Sequence, residues 1–221
     1  KRTVLFVGGT PLYLISLLRG ACDGPPADPE FRREVEEEVS QVGIEALHQR
    51  VAQVDPLSAA KLHPNDKRRL IRALEVYAMT GQPISHLQTQ FEGKHTKRCR
   101  NAFVLSRSRS DLHERIERRT KLLFDSGFVD EVRDLLGSYG NLSRTAMQGV
   151  GYQEVSDYLN GQSSLESAIT ETTIRTRRYV RRQETWFRRL SECHWVEAEE
   201  TTSVDELVDR VLKYERTADA D

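Results

Sequence analysis

The chain has 221 residues, 30% charged and 38% hydrophobic, with a formal net charge of −1; this is enough for one large or two small domains and suits a soluble, helix-rich protein. No run of about 18 apolar residues exists to span a membrane, and the apolar run Val4–Val7 is too short for a signal-peptide core. Cys22, Cys99 and Cys193 form no C-x-x-C pair, which argues against a disulfide scaffold or zinc site and fits a reducing cytoplasm.

Thr3–Val7 is rich in β-branched residues and ends at Gly8-Gly9; it predicts a buried strand feeding a tight turn. A helix is expected from Thr10 to Leu18, with Leu14, Leu17 and Leu18 on one side. Gly20–Pro29, dense in Gly, Pro and Asp, reads as a hinge or domain boundary. From Asp28 to about Leu87 short helices follow one another. Asp28 caps the first, with Pro29 at its first position. Gly43 separates the next, Asp55-Pro56 opens another, and Pro64-Asn65-Asp66 opens the longest, Lys67 to Met79. Leu70, Ala73, Leu74 and Tyr77 form its apolar stripe, and Gly81 and Pro83 end it. Asn101–Leu105 is the next strand candidate. Asp111–Phe124 is an amphipathic helix through Leu112, Ile116 and Leu123; Gly127 breaks it, and a second runs from Val129 to Leu136. Ser163-x-x-Glu166 is a capping box starting a long helix that runs to about Leu190. His194–Val196 is a last strand, and Ser203-x-x-Glu206 caps a final helix. This order implies a mostly helical α/β protein, its core formed by residues 1–20 and 97–221 and interrupted by an all-helical insertion, residues 21–96. One strand at the very start and two later ones of marginal length cannot build a parallel sheet, so the core is expected to be truncated at its N-terminus.

Charge is unevenly spread. Asp28–Glu38 carries six acids against Arg32 and Arg33, while Lys94–Arg109 and Arg175–Arg189 are basic. The last stretch holds seven arginines and one glutamate, interleaved with Tyr179, Trp186 and Phe187. Concentrated positive charge with aromatics on a near-neutral chain suits a phosphate backbone; a solvated helix face paired with glutamates is the alternative. Gly8-Gly9-Thr10 sits where backbone amides at a helix start favour anions and glycines permit close approach; an ordinary turn is the alternative. No P-loop of the form G-x-x-x-x-G-K-[ST] occurs. Arg115 and Arg119, four apart on one helix face, can clamp a diphosphate or pair with neighbouring glutamates. Gln148, Tyr152 and Gln153, around Gly149 and Gly151, can contact a base or sugar, or cap a helix on the core. Lys67, Arg68, Arg69 and Arg72 place four cations against a helix dipole. An anionic ligand accounts for them, with Asp66 and Glu75 a partial structural answer.

Six segments, in order, resemble bacterial tRNA dimethylallyltransferases, the tRNA isopentenyltransferases of the IPP transferase family. They are Val7-Gly-Gly-Thr10-x-Leu-Tyr13, Asp28-Pro-Glu-x-Arg32, His63-Pro-Asn-Asp-x-x-Arg69-Leu-x-Arg72-Ala-Leu-Glu-Val76, His113-x-Arg-Ile-x-x-Arg119, Gln148-x-x-Gly151-Tyr152 and Arg182-Gln183-x-Thr-Trp186-Phe-Arg188. The resemblance implies a P-loop-kinase-like α/β core joined to a helical insertion. It implies transfer of a dimethylallyl group from dimethylallyl diphosphate to N6 of the adenosine 3′ to the anticodon, in tRNAs reading codons that start with U. Such chemistry calls for Mg2+ and cations on the leaving diphosphate, a base for the amine and an adenine taken out of its stack.

By the same resemblance Thr10 and Arg119 are catalytic, Thr10 lying near the adenine or the allyl diphosphate and Arg119, with Arg115, holding diphosphate. Thr10, Arg32, Arg68, Arg69, Arg72, Gln148, Gly151, Tyr152, Gln153, Arg181, Arg182, Gln183, Trp186 and Arg188 are expected to meet the anticodon stem-loop, in a monomeric, cytoplasmic enzyme. The Mg2+ ligands are expected largely outside this chain. The family's P-loop, and the Asp-Ser-x-x-x-Tyr segment whose aspartate is its expected general base, lie upstream of the first matching motif and do not occur here. The chain is therefore expected to be a fragment or a natural truncation, catalytically incomplete alone. A non-catalytic tRNA-binding remnant and an adenylate isopentenyltransferase are the alternatives; the long basic insertion favours tRNA over a free nucleotide.

Overall fold

The computed structural model describes residues 4–20, 24–88 and 101–218. Contacts divide the chain into a helical unit, Leu12–Arg98, and a core unit, Lys1–Pro11 with Cys99–Asp221. By contacts the first division falls after Pro11, where the sequence reading set it at residue 20. The second expected boundary, near residue 97, lies outside the described residues.

In the helical unit, α1 (Pro11–Arg19) buries Ile15 and Leu18. Leu17, expected on the buried side, is exposed. α2 (Pro29–Val42) starts as read: the Asp28 carboxylate accepts from the backbone N–H groups of Glu30 and Phe31, and Pro29 follows at N1. α3 (Ile44–Val54), α4 (Pro56–Lys61), α5 (Lys67–Thr80) and the single turn α6 (Ile84–Leu87) complete the unit. Asp55 and Asp66 cap α4 and α5. The core gathers Val35 from α2, Leu47 and Val51 from α3, and Leu70, Ile71, Ala73, Leu74 and Val76 from α5. Burying each of the larger aliphatics is worth about 1.5–3 kcal/mol. Tyr77, expected in the α5 stripe, is partly exposed; Ile71 and Val76 widen the stripe instead.

Asp55 is fully buried and does more than cap. Its carboxylate accepts from the Ser58 N–H (2.9 Å), the Ser58 hydroxyl (2.7 Å) and the Ser85 N–H (3.0 Å), joining α4 to α6. Burial pushes its pKa up, but these bonds outweigh burial and hold it below the ordinary value.

In the core unit, β1 (Ala102–Ser106) and β2 (Cys193–Glu197) pair in parallel, from Ala102 opposite Cys193 to Ser106 opposite Glu197. The crossover between them contains α7 (Arg109–Asp125), α8 (Phe128–Tyr139), α9 (Arg144–Met147), α10 (Tyr152–Leu159) and α11 (Leu165–Phe187); α12 (Val204–Ala218) follows β2. Phe128, Val132 and Val155 form the buried contact of α8 with α10, and the Phe128 and Tyr152 rings meet edge to face at 5.3 Å. Of the expected α7 stripe, Ile116 is buried but Leu123 is exposed, and Asp111 and Thr120 take buried positions. The α11 cap lies one residue later than expected: Ser164, adjacent to the first helical residue, accepts from the Ser167 N–H. The Ser203–Glu206 box forms as read, with each residue's side chain accepting from the other's backbone N–H.

Val4–Val7 departs from expectation. It joins no sheet and is 68% to 88% exposed. A strand requires a neighbour for its backbone N–H and C=O groups, and no strand among the described residues pairs with it. No helix among the described residues is long and apolar enough to cross a membrane. Cys193 is buried at the start of β2, whereas Cys22 and Cys99 lie outside the described residues.

Candidate nucleic-acid interface

A helix turns about 100° per residue, so Arg178, Arg181 and Arg182 share one face of α11. Ala168 and Thr172 are the buried residues of the helix. Three of the seven arginines in Arg175–Arg189 have carboxylate partners. Arg175 reaches Glu154 of α10 at 2.5 Å, Arg177 pairs with Glu117 of α7, and Arg188 pairs with Glu184 at 2.5 Å. Arg178, Arg181, Arg182 and, in the turn after the helix, Arg189 are exposed and make no ion pair among the described residues. The two readings of this stretch are thus divided between its residues: one set of arginines joins helices, and the other is left to solvent. Arg188, expected at the RNA, belongs to the paired set. Trp186 and Tyr179 are both partly exposed.

Gln183, expected to meet the stem-loop, is hydrogen-bonded within the chain. Its side-chain N–H donates to the Gly9 carbonyl, fastening the Gly8–Thr10 loop to α11. A Cβ on Gly9 would run into that amide, so the close approach depends on glycine. Thr10 is exposed beside this clamp, immediately before α1.

On α7, Arg115 and Arg119 are not equivalent. Arg115 donates to Asp111 Oδ1 at 2.8 Å, and Arg107 donates to Oδ2 at 2.8 Å. The Arg107 bond first, then Arg115, hold the Asp111 carboxyl below its ordinary range against the opposing effect of burial. Arg119 is exposed and makes no ion pair among the described residues. Of the two arginines expected to hold diphosphate, Arg115 is paired through its Nε and Arg119 is exposed.

The Gln148–Gln153 turn is built as a helix cap. Gly151 has φ +102°, and a Cβ there would lie 2.7 Å from Phe128. Its N–H donates to the buried carboxylate of Glu154 (3.0 Å), which also receives Arg175. The Tyr152 hydroxyl donates to Glu131 at 2.7 Å, which raises the phenol pKa. Gln153 donates to Asp157 at 2.7 Å. Gln148, exposed after α9, has the freest side chain of the group. Glu154, the acid that organises this turn, was not singled out in the sequence; a glutamate three residues into a helix after glycine was the available signal.

In the helical unit the central group is also an acid. Glu75 is fully buried, at 0% exposure. It accepts two bonds from Arg32 (2.7 and 2.8 Å), one from Arg72 (2.5 Å) and one from the Asp28 N–H (2.7 Å). Arg72 also donates to the Pro25 carbonyl at 2.6 Å. Burial pushes the Glu75 carboxyl up, but these donors, Arg32 foremost, bring it down to about 2. Arg32 and Arg72 thus hold the Pro25–Asp28 segment against α5 rather than standing free for RNA. Arg69 leans on Asp66 at 3.3 Å, and Arg68 is exposed and unpaired among the described residues. No group of three or more His, Cys, Asp or Glu side chains among the described residues is placed to hold a metal ion.

Residues 1–190 match the IPP transferase family. The chain is 44% identical to a tRNA dimethylallyltransferase of Rhodopirellula baltica over 212 residues, which are 95% of this chain and 64% of that protein. It is 41% identical to the tRNA dimethylallyltransferase of Syntrophobacter fumaroxidans, covering 95% of this chain and 60% of that one. Among solved structures, the tRNA isopentenylpyrophosphate transferase of Bacillus halodurans aligns with a TM-score of 0.57 at 30% identity, over 95% of this chain and 66% of that one. A eukaryotic dimethylallyltransferase acting on tRNA shares the fold at a TM-score of 0.68 and 23% identity, over 92% of this chain and 53% of its own. The chain spans about three fifths of the length of the first curated relatives it matches. By the extent of the family match and the identity to these relatives, this chain belongs to the IPP transferase family.

Proposed function

We propose that this chain forms the RNA-binding and diphosphate-facing part of a monomeric tRNA dimethylallyltransferase. The substrates are dimethylallyl diphosphate and the adenosine 3′ to the anticodon in tRNAs reading codons that start with U. The N6 lone pair attacks the allylic carbon, the carbon–oxygen bond breaks, diphosphate leaves with the bonding pair, and N6 loses a proton. Arg119, exposed on α7 without a carboxylate partner, is the guanidinium assigned to the departing diphosphate. Thr10, on the loop clamped by Gln183, is assigned to the reacting adenine or allyl group. No described residue is assigned as the general base. Among the described residues no group of three or more His, Cys, Asp or Glu is placed to hold a metal ion, and the Mg2+ ligands that the resemblance implies are expected largely outside this chain.

The observation that carries this reading is the exposed row Arg178, Arg181 and Arg182, unpaired in a chain with as many acids as bases to within one charge. Unpaired arginines held on a rigid helix suit a phosphate backbone. The test is binding of an unmodified anticodon stem-loop across a salt series, with AMP as competitor. Binding should weaken with salt at a logarithmic slope near −0.9 for each phosphate neutralised, and AMP should not displace the RNA. Salt-insensitive binding, or displacement by AMP, overturns the reading; the second result would point to a free-nucleotide enzyme.

A further inference from the structure

Among the described residues, the stretch 4–9 is held by a single hydrogen bond, from the Gln183 side-chain N–H to the Gly9 carbonyl. Both partners belong to the core unit, 174 residues apart in sequence. Upstream of the contact, Val4, Leu5, Phe6 and Val7 are exposed and join no sheet, and a Cβ on Gly8 would meet open space. The placing of Gly8, Gly9 and Thr10 therefore depends on one amide.

That amide is set beside the arginine row. Gln183 follows Arg182 directly and lies about 100° round the helix from it, in line with Thr176 and the buried Thr172. The loop thus occupies the face of α11 next to Arg178, Arg181 and Arg182, with Thr10 exposed. The fastener is also neutral. A glutamine donates to a carbonyl without charge, so it neither adds to the row nor draws one of its arginines into an ion pair, as Glu184 does with Arg188.

Resting on the RNA-binding reading above, we propose that Gln183 is a positioning residue. It holds Thr10 in a fixed place beside the arginine row, so that phosphates on the row and the reacting base at Thr10 belong to one RNA in one register. Affinity comes from the arginines, and placement of the base comes from the contact between Gly9 and Gln183. The two are separable, because a neutral hydrogen bond changes the ratio of fastened to open loop by about tenfold at most and leaves every guanidinium where it was.

The experiment uses the whole chain carrying Thr10→Cys. Its ligand is an anticodon stem-loop whose adenosine 3′ to the anticodon bears an N6-thioethyl tether as a mixed disulfide. Thiol exchange should be faster than in the chain with Thr10, and faster than with the tether moved into the stem. Gly9→Ala breaks the contact from the loop side and leaves α11 untouched. At saturating RNA it should slow the exchange about three- to tenfold, while stem-loop affinity stays within about twofold and the salt slope is parental. Gln183→Met keeps the side-chain length, removes the donor and should slow exchange per bound RNA by the same factor. The double variant should be no slower than either single one, because both act on one contact. If one variant misfolds by circular dichroism, the other decides. A parental exchange rate in a folded single variant overturns the proposal and leaves the RNA-binding reading standing. Loss of affinity with the rate per bound RNA unchanged does the same, since Gln183 would then touch RNA directly. Salt-insensitive binding by the parent removes the RNA-binding reading and this assignment with it.

Discussion

A carboxyl group withdrawn from water ordinarily takes up a proton; Glu75 remains charged because Arg32, Arg72 and the Asp28 N–H converge on it. Its pKa falls from 4.5 to about 2 on folding. The unfolded chain binds this proton more tightly than the folded one, so the stabilisation is complete above the unfolded value. It is lost as pH falls from there through about 2. Asp55, also lowered, contributes with the same sign. Urea unfolding followed by circular dichroism should therefore show a midpoint that declines as the solution is acidified through that window. Glu75→Gln leaves two guanidinium groups without their counter-charge and should cost about 3–5 kcal/mol near neutral pH, with a flatter acid dependence. A variant midpoint equal to the parent's would remove Glu75 from its central role. Gly151 allows a different test of local structure. Alanine there meets Phe128 and an unfavourable φ, and should cost about 2 kcal/mol. Thermal unfolding would show it, and an unshifted Tm would mean the α8–α10 contact readily gives way.

α11 combines two functions along one helix. Its paired arginines fix α10 and α7, while Arg178, Arg181 and Arg182 remain exposed. Replacing these three with Gln should reduce the salt slope of stem-loop binding by about 2–3, measured by filter binding. Arg188→Ala should change the slope much less, because Glu184 already engages that guanidinium. An unaltered slope in the triple variant would leave the row as mere surface. The caps at Asp28, Asp55, Asp66 and Ser203 were legible in the sequence because a cap is a local event within three residues. The β1 and β2 positions were legible for the same reason, as short apolar runs between breakers. The destinations of the arginines were not. Arg175 and Glu154 are 21 residues apart, Arg32 and Glu75 are 43 apart, and Arg177 and Glu117 are 60 apart. Charge patterning along the chain cannot rank such partners. Val4–Val7 was misread as buried because apolar periodicity states a preference for burial and not the presence of a neighbouring strand.

At the scale of the whole molecule, the two units place charge differently. The helical unit draws Arg32 and Arg72 inward onto Glu75. The core unit leaves Arg119 on α7 and the α11 row exposed. For the proposed transfer, Arg119→Ala should lower turnover by about 10²–10³-fold and change stem-loop affinity by less than about twofold. Unchanged turnover would take Arg119 out of the site. The central claim is that the exposed face of α11 is where RNA lies. Its most direct measurement is photo-crosslinking of an anticodon stem-loop carrying a thiolated uridine, followed by mass-spectrometric mapping of the modified peptides. Crosslinks should concentrate on peptides spanning Arg178–Arg189 and exceed those of a scrambled hairpin. Their confinement to other peptides, or equal yield from the scrambled RNA, would contradict the account.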